Sequence, residues 1–328
     1  MHSRLALIIY FAPFVASMST MPRVGLGSAE SPPFESMAAA VHAAVDAGVG
    51  LIDTAQNYGS EKAVGEGLRR SRAGGKPREA AFVLAKVDLC SLASEDPRAR
   101  MRRQVGSTLT NLDVEFLDAV AFHWPLCLDR HVNEEEARRV RKEAYQELEL
   151  MVDKGLIRSL GLSNFNVQQM DEVIELARHR PVLNEIEFSP VCYQADLLKA
   201  CEERGLRVVA YSPYGTCWIA KYFGNLVPWG AASLLEGDGV VGEIAEQSGL
   251  TPAQVLLTWC MQKGATPIPK SLMPERVKQT AKCLGDVRLD DEQMVILDGL
   301  NDSRRGVVAS IEAHSRIIAD SKYTWEKT

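Results

Sequence analysis

The chain has 328 residues, enough for one large α/β domain or two average ones. Hydrophobic residues at 46% against 24% charged can bury a sizeable core, which excludes a disordered chain. A formal charge of −6 removes nucleic acid from the main partners, because phosphate-backbone binding needs a net basic face, so any phosphate site must be local.

Read in chain order, Arg4 precedes the apolar run Leu5 to Ala16, too short to span a bilayer. It reads equally as the core of a secretory signal, with Ser17 and Ser19 at a cleavage point, or as an extra strand or hairpin under the domain. Residues 1–20 are therefore set apart as an apolar extension from a single domain over 21–328. From there short apolar runs alternate with amphipathic stretches, the pattern of a parallel sheet covered by helices. Strands are expected at Arg23–Gly27, Gly50–Asp53, Ala81–Lys86, Phe116–His123, Ile157–Ser163, Val182–Phe188, Arg207–Ser212 and Thr266–Lys270. Helices are expected at Ser36–Ala47, Glu61–Ser71, Pro97–Asn111, Glu134–Lys154, Val167–Arg178, Gln194–Arg204, Thr251–Lys263 and Pro274–Cys283.

Start and stop signals support these limits: Ser60 before Glu61, Pro252 in a first turn, and Gly48, Gly155, Gly205 and Gly264 past helix ends. Val240–Gln247 and Asp291–Leu300 fall outside the eight repeats and read as two accessory helices. The expected fold is thus a (β/α)8 TIM barrel with two accessory helices. The rival, a doubly wound open sheet for a dinucleotide, lacks its Gly-x-Gly-x-x-Gly; Gly25-Leu26-Gly27 followed by Ser28-Ala29-Glu30 is half of it. Tyr214 to Asp238, with Trp218, Tyr222, Phe223 and Trp229, carries no clear period and reads as a lid or binding loop. Cysteines 90, 127, 192, 201, 217, 260 and 283 form no Cys-x-x-Cys pair. They read as free, mostly buried thiols of a reducing, cytoplasmic compartment, unless residues 1–19 act as a targeting signal.

In such a barrel the chemistry lies at the C-terminal strand ends. Asp53 ends the second strand, Lys86 the third and His123 the fourth, and Tyr58 lies in the loop after Asp53. Singly, Asp53 could cap a helix, Lys86 could be a surface charge, His123 a bonded core residue and Tyr58 loop packing. Together they say more. A lysine closing the apolar run Ala81-Phe82-Val83-Leu84-Ala85 needs an anion beside it, and Asp53 can supply one. An ammonium near a phenol favours the ionised form, so Tyr58 is expected to be a tuned proton donor to a developing alkoxide, with His123 bonding the same oxygen. A metal-dependent hydrolase is disfavoured, because His42, His123, His131 and His179 show no His-x-His or His-x-x-x-His spacing.

At these residues the sequence resembles the aldo-keto reductases. Leu51-Ile52-Asp53-Thr54-Ala55-Gln56-Asn57-Tyr58-Gly59-Ser60-Glu61 with Val64-Gly65 is similar to that family's first signature, and Leu112-Asp113 through Phe122-His123-Trp124-Pro125 to its next region. Gly161-Leu162-Ser163-Asn164-Phe165 resembles its nicotinamide-holding segment, and Ile268-Pro269-Lys270-Ser271 with Arg276 its phosphate clamp. The likeness runs from about Met21 to about Leu300. It implies that Asp53, Tyr58, Lys86 and His123 are a catalytic tetrad and that NADPH/NADP+ is the cofactor. Ser163 and Asn164 would bond the carboxamide, Tyr211 would stack on the nicotinamide and Ser212 would touch the pyrophosphate. Lys270, Ser271 and Arg276 would hold a 2′-phosphate; the alternative for this cluster is an ordinary capped helix start.

The sequence departs from the family at Glu185, where a glutamine contacting the carboxamide is usual, and at Gln279 and Thr280, beside the adenosine. It departs again at Ala29 and Asp88, where pocket aromatics are common; Trp124 remains. These changes predict a wider, more polar pocket for a small-molecule carbonyl substrate. No nucleic-acid partner or membrane span is expected, and the chain should be a monomer or weak homo-oligomer. The second functional class that the resemblance allows is an NADPH-binding regulatory subunit without turnover.

Overall fold

The computed structural model describes residues 21–89, 95–125, 133–215, 234–236 and 239–301. The N-terminal run, most of the segment from Tyr214 to Asp238 with its four aromatics, His131, and cysteines 90, 127 and 217 lie outside the described residues. The strands are β1 Gly25–Gly27, β2 Leu51–Asp53, β3 Phe82–Val87, β4 Ala119–Phe122, β5 Leu160–Ser163, β6 Pro181–Glu187, β7 Arg207–Tyr211 and β8 Thr266–Pro267. They form one parallel eight-stranded sheet in sequence order. A parallel bridge from Gly27 to Lys270, with Gly27 N donating to Pro269 O at 3.0 Å, joins the last strand to the first. The expected TIM barrel is the fold found.

The helices are α1 Phe34–Ala47, α2 Glu61–Ala73, α3 Pro97–Leu112, α4 Glu134–Asp153, α5 Val167–Leu176, α6 Ala195–Glu203, α7 Val240–Ser248, α8 Pro252–Gln262, α9 Pro274–Ala281 and α10 Asp291–Asp298. Of these, α7 and α10 are the two accessory helices, packed on each other. The carboxylate of Asp298 on α10 accepts from Trp259 Nε1 at 2.8 Å and Lys263 Nζ at 2.6 Å, tying it to the end of α8.

A strand alternates its faces, so each strand sends one parity inward and the other to the helices. Leu51, Phe82, Leu84, Ala119, Ala121, Leu183, Val209 and Ile268 fill the barrel, while Ile52, Val83, Ala85, Val120, Phe122, Leu160, Leu162 and Ile186 pack under the helices. Asp53, Lys86, His123, Ser163, Glu185 and Tyr211 continue the inward parity at the upper ends. Polar side chains are therefore aimed at one mouth by the register that fills the core below. Gly161 makes room on that inward row: a Cβ there would meet Leu183 Cδ1 at 2.8 Å.

Several boundaries differ from the sequence expectation for visible reasons. β4 starts at Ala119 rather than Phe116 because the Asp118 carboxylate, not a backbone carbonyl, accepts from Val83 N at 2.9 Å. α5 stops at Leu176 because the Glu149 carboxylate takes the N–H groups of Arg178 (2.6 Å) and His179 (2.7 Å). β8 is cut short by Pro267 and Pro269, which donate nothing to a ladder. Ser60 does not cap α2; its hydroxyl lies 2.8 Å from that of Ser28. Asp96, Asn133, Asn166, Thr251 and Asp290 do cap the helices that follow them. Cys192, Cys201, Cys260 and Cys283 are buried, as expected for those positions.

Candidate active site

Asp53, the last residue of β2, and Lys86, near the end of β3, are 2% and 1% exposed, and Lys86 Nζ donates to Asp53 Oδ1. Glu185 on β6, 1% exposed, comes to the same ammonium from across the barrel, with Oε2 3.2 Å from Lys86 Nζ. That contact supplies charge but not a hydrogen bond, for Oε2 has no hydrogen-bond partner. The sequence reading assigned Glu185 to a cofactor amide. The structure places its carboxylate beside Asp53 and Lys86, where two buried acids share one base.

Tyr58 is half-buried and sits at the end of a 3₁₀ turn, Gln56–Tyr58. The turn is pinned from two sides: Ser31 N donates to Tyr58 O at 2.8 Å, and Gln56 Nε2 donates to Gln104 O on α3 at 2.8 Å. Lys86 Nζ lies 5.0 Å from the Tyr58 ring centroid, and the hydroxyl lies 3.5 Å from His123 Nε2. His123 follows β4, its N–H donating to Val87 O at 2.9 Å, and its ring stacks on Trp124 at 6.3 Å between centroids. The four residues expected to act together do meet at one mouth.

The electrostatics correct one expectation. Lys86 does favour the ionised phenol, but burial and the carboxylates of Asp53 and Glu185 outweigh it and push Tyr58 above its ordinary value. The Tyr58 hydroxyl is therefore held protonated rather than poised to ionise. Burial likewise raises Asp53 against the pull of Lys86. Lys86 itself is held above its ordinary value because Asp53 and Glu185 overcome its desolvation. Glu185 is pushed up to about 8 by burial and then by the Asp53 charge.

Between its ordinary 4.5 and about 8, the folded chain thus keeps a proton on Glu185 that the unfolded chain has released. Stability accordingly falls as pH rises through that window. Glu185→Gln should flatten this slope and gain on the order of a few kcal/mol relative to the parent at pH 8 compared with pH 5. Urea denaturation at both pH values is the check; parallel pH profiles would refute it.

Asp88, assigned to the pocket wall, pairs with the site: its Oδ1 lies 3.3 Å from His123 Nδ1, and the Asn57 amide lies 3.4 Å from the same nitrogen. Asp88 is fixed by Gln104, which accepts from its N–H at 2.9 Å and donates to its carbonyl at 2.8 Å, and by Arg100 Nε on that carbonyl at 2.7 Å. Burial works against the carboxylate charge, but the His123 bond and nearby cations hold Asp88 below its usual range. The sequence offered no sign of this pairing.

Beside the tetrad, Asn164 has φ 63° after β5 and Ser212 has φ 51° after β7. Asn164 Nδ2 donates to His123 O (3.0 Å) and Ser163 Oγ (3.1 Å), its N–H donates to Glu185 O (2.9 Å), and the half-exposed Tyr211 donates its hydroxyl to Asn164 Oδ1 (2.9 Å). Ser163, Asn164, Tyr211 and Ser212 thus meet around one rim. Farther out, Lys270 Nζ donates to Glu30 Oε2 at 3.0 Å, and Ser271 Oγ accepts from Met273 N at 3.2 Å at the start of α9. Ser271 therefore does serve the backbone, as the plainer reading allowed. Arg276 and Gln279 are exposed on α9, whereas Thr280 is buried and donates to Arg276 O at 3.3 Å. Of the pocket residues, Trp124 is 7% exposed and Ala29 is half-buried.

The sequence matches the pattern of the Aldo/keto reductase family over residues 23–302. It is 38% identical over 302 residues to aldo-keto reductase family 1 member A1 of Mus musculus, covering 89% of each chain. It is 34% identical over 320 residues to member A1-A of Danio rerio, covering 92% of this chain and 94% of that one. Among solved structures it resembles the aldose reductase of Schistosoma japonicum, with TM-score 0.73, 28% identity and coverage of 92% and 96%. The Bombyx mori aldo-keto reductase in complex with NADP gives TM-score 0.72, 28% identity and coverage of 86% and 90%. Motif order and barrel agree with these likenesses, and the chain belongs to the aldo-keto reductase family.

Proposed function

We propose that the chain is an NADPH-dependent carbonyl reductase, interconverting an aldehyde or ketone and its alcohol, with Tyr58 as general acid. The observation that carries this reading is the meeting of Asp53, Tyr58, Lys86 and His123 at one barrel mouth beside the Ser163–Asn164–Tyr211 rim. The rim fits a dinucleotide: amide and hydroxyl groups stand at two strand ends in left-handed backbone, a half-exposed aromatic ring lies between them, and an exposed guanidinium opens the neighbouring helix.

When bound, the cofactor supplies a hydride. The protein's part is to hold and to protonate. Ser163 and Asn164 are assigned to the carboxamide, the Tyr211 face to the ring, and Ser212 to the pyrophosphate. Lys270, Ser271 and Arg276 are assigned to the 2′-phosphate, with Gln279 and Thr280 near the adenosine. Lys270 gives one N–H to Glu30 and keeps two further donors of its ammonium for the phosphate. Tyr58 donates its proton to the substrate oxygen, and His123 steadies the same oxygen or the phenol. A Nδ1–H of His123 aimed at Asp88 leaves Nε2 facing the Tyr58 hydroxyl. Ala29, Asp88 and Trp124 line the substrate side, where Asp88 makes the wall polar.

Loss of NADPH absorbance on adding a generic aldehyde tests the reading. Binding of NADPH without turnover of any carbonyl in a broad panel would favour the regulatory-subunit alternative. Replacing Arg276 by Ala should raise the KM for NADPH about 10- to 100-fold, in line with loss of a charge-assisted bond, and leave that for NADH nearly unchanged. An equal change for both dinucleotides would remove Arg276 from the phosphate site.

A further inference from the structure

Glu185 has no part in the proton delivery described above, yet it is buried in the mouth against Lys86. With Asp53 and Glu185 ionised and Lys86 protonated, the buried cluster carries one net negative charge; one added proton makes it neutral. Both carboxylates meet the one ammonium, Asp53 through Oδ1 and Glu185 through Oε2 at 3.2 Å, so a proton on either acid neutralises the same cluster. Glu185 Oε2 is buried and has no hydrogen-bond partner, so it is the place on the cluster left for a proton or a donor. The same residue is joined to the proposed nicotinamide rim, because Ser163 pairs with Glu185 in the sheet and Asn164 N donates to its carbonyl.

We propose that Glu185 is a proton-linked discriminator between the two forms of the dinucleotide: it carries a proton beside the neutral ring of NADPH and releases it to solvent when the cationic ring of NADP+ binds. This rests on the reading that the rim takes NADP(H). The charge balances. The oxidised ring brings one positive charge and the departing proton removes one, so the net charge of the buried site is the same in both complexes. An amide at this position could not do this. Burial and the Asp53 charge set the free carboxyl at about 8, and a cation alongside pulls it down. The groups facing Glu185 are Asp53 from β2, Lys86 from β3 and Tyr58 from the turn after β2. His123 acts through Asp53, Glu187 lies two residues along the same strand, and Tyr211 pairs with Glu187 from β7.

The test measures dissociation constants of the full chain for NADP+ and for NADPH, by quenching of tryptophan fluorescence, between about pH 6 and 8. Taking their ratio cancels titration of the 2′-phosphate and of its clamp, which both forms share. In the parent protein the ratio of the NADP+ constant to the NADPH constant should fall towards tenfold per pH unit, and in Glu185→Gln it should be flat. Calorimetry of the parent protein in two buffers of different ionisation heat needs no variant. It should show NADP+ releasing close to one proton more than NADPH near pH 7. A pH-independent ratio, equal proton release, or a slope that survives Glu185→Gln overturns the proposal, the last because another group then carries the proton. Failure of both dinucleotides to bind overturns the cofactor reading itself, and is told apart by the absence of any quenching.

Discussion

Tyr58→Phe is expected to lower kcat for aldehyde reduction by about 10²- to 10⁴-fold, with NADPH binding unchanged. In the proposed mechanism the ring packs and the hydroxyl gives the proton, and this substitution separates the two. The ring lies edge-on to His123 at 5.6 Å and over Lys86 at 5.0 Å, contacts that phenylalanine preserves. The hydroxyl, 3.5 Å from His123 Nε2, is the group that can give a proton to an oxygen entering the mouth. Because burial and two carboxylates push this phenol above its ordinary value, it remains protonated throughout the neutral range. Tyr58 ionisation should therefore leave no break in the reduction rate below about pH 10. Steady-state kinetics of parent and variant decide the matter. A variant keeping a tenth or more of the parent rate would transfer the acid role to another group, His123 being the nearest.

The barrel was legible because two periods were clean. Apolar runs alternating with amphipathic stretches gave the eight repeats, and Pro252 in a first turn with Gly48, Gly155, Gly205 and Gly264 past helix ends marked helix limits that the fold keeps. Asp53, Lys86 and His123 could be paired from sequence because β2, β3 and β4 are neighbours and each residue lies at or beside the upper end of its strand. Glu185 could not, since β6 faces β2 and β3 only after the sheet closes, and closure depends on a bridge between Gly27 and Lys270 that no local pattern encodes. The direction of the Tyr58 shift failed for the same reason. The sequence placed one cation near the phenol, whereas the folded mouth adds burial and a second carboxylate. Asp88 was visible only as a missing aromatic; its bond to His123 depends on where Gln104 and Arg100 of α3 hold its backbone.

Removing the one cation of the cluster should have the largest effect on stability. Lys86→Met keeps the length and burial of the chain but leaves Asp53 and Glu185 facing each other without a counter-charge. Breaking a buried ion pair from one side costs about 3–5 kcal/mol, and here one side serves two acids. The cost has a definite pH dependence. Both acids are already raised in the parent, so without Lys86 they hold protons still more firmly, and the variant loses stability as pH climbs above the unfolded carboxylate range. Urea denaturation should therefore show a penalty at pH 8 well above that at pH 5. Adding Glu185→Gln to Lys86→Met should return part of the loss at pH 8, because one buried acid needs less compensation than two. The coupling between the two substitutions, read from the double-mutant cycle, measures how much of the Lys86 ammonium is spent on Glu185 and how much on Asp53. A penalty that is the same at both pH values would mean that Lys86 does not favour the ionised forms of the buried acids, and a double variant no more stable than Lys86→Met alone would mean that Glu185 makes no demand on Lys86.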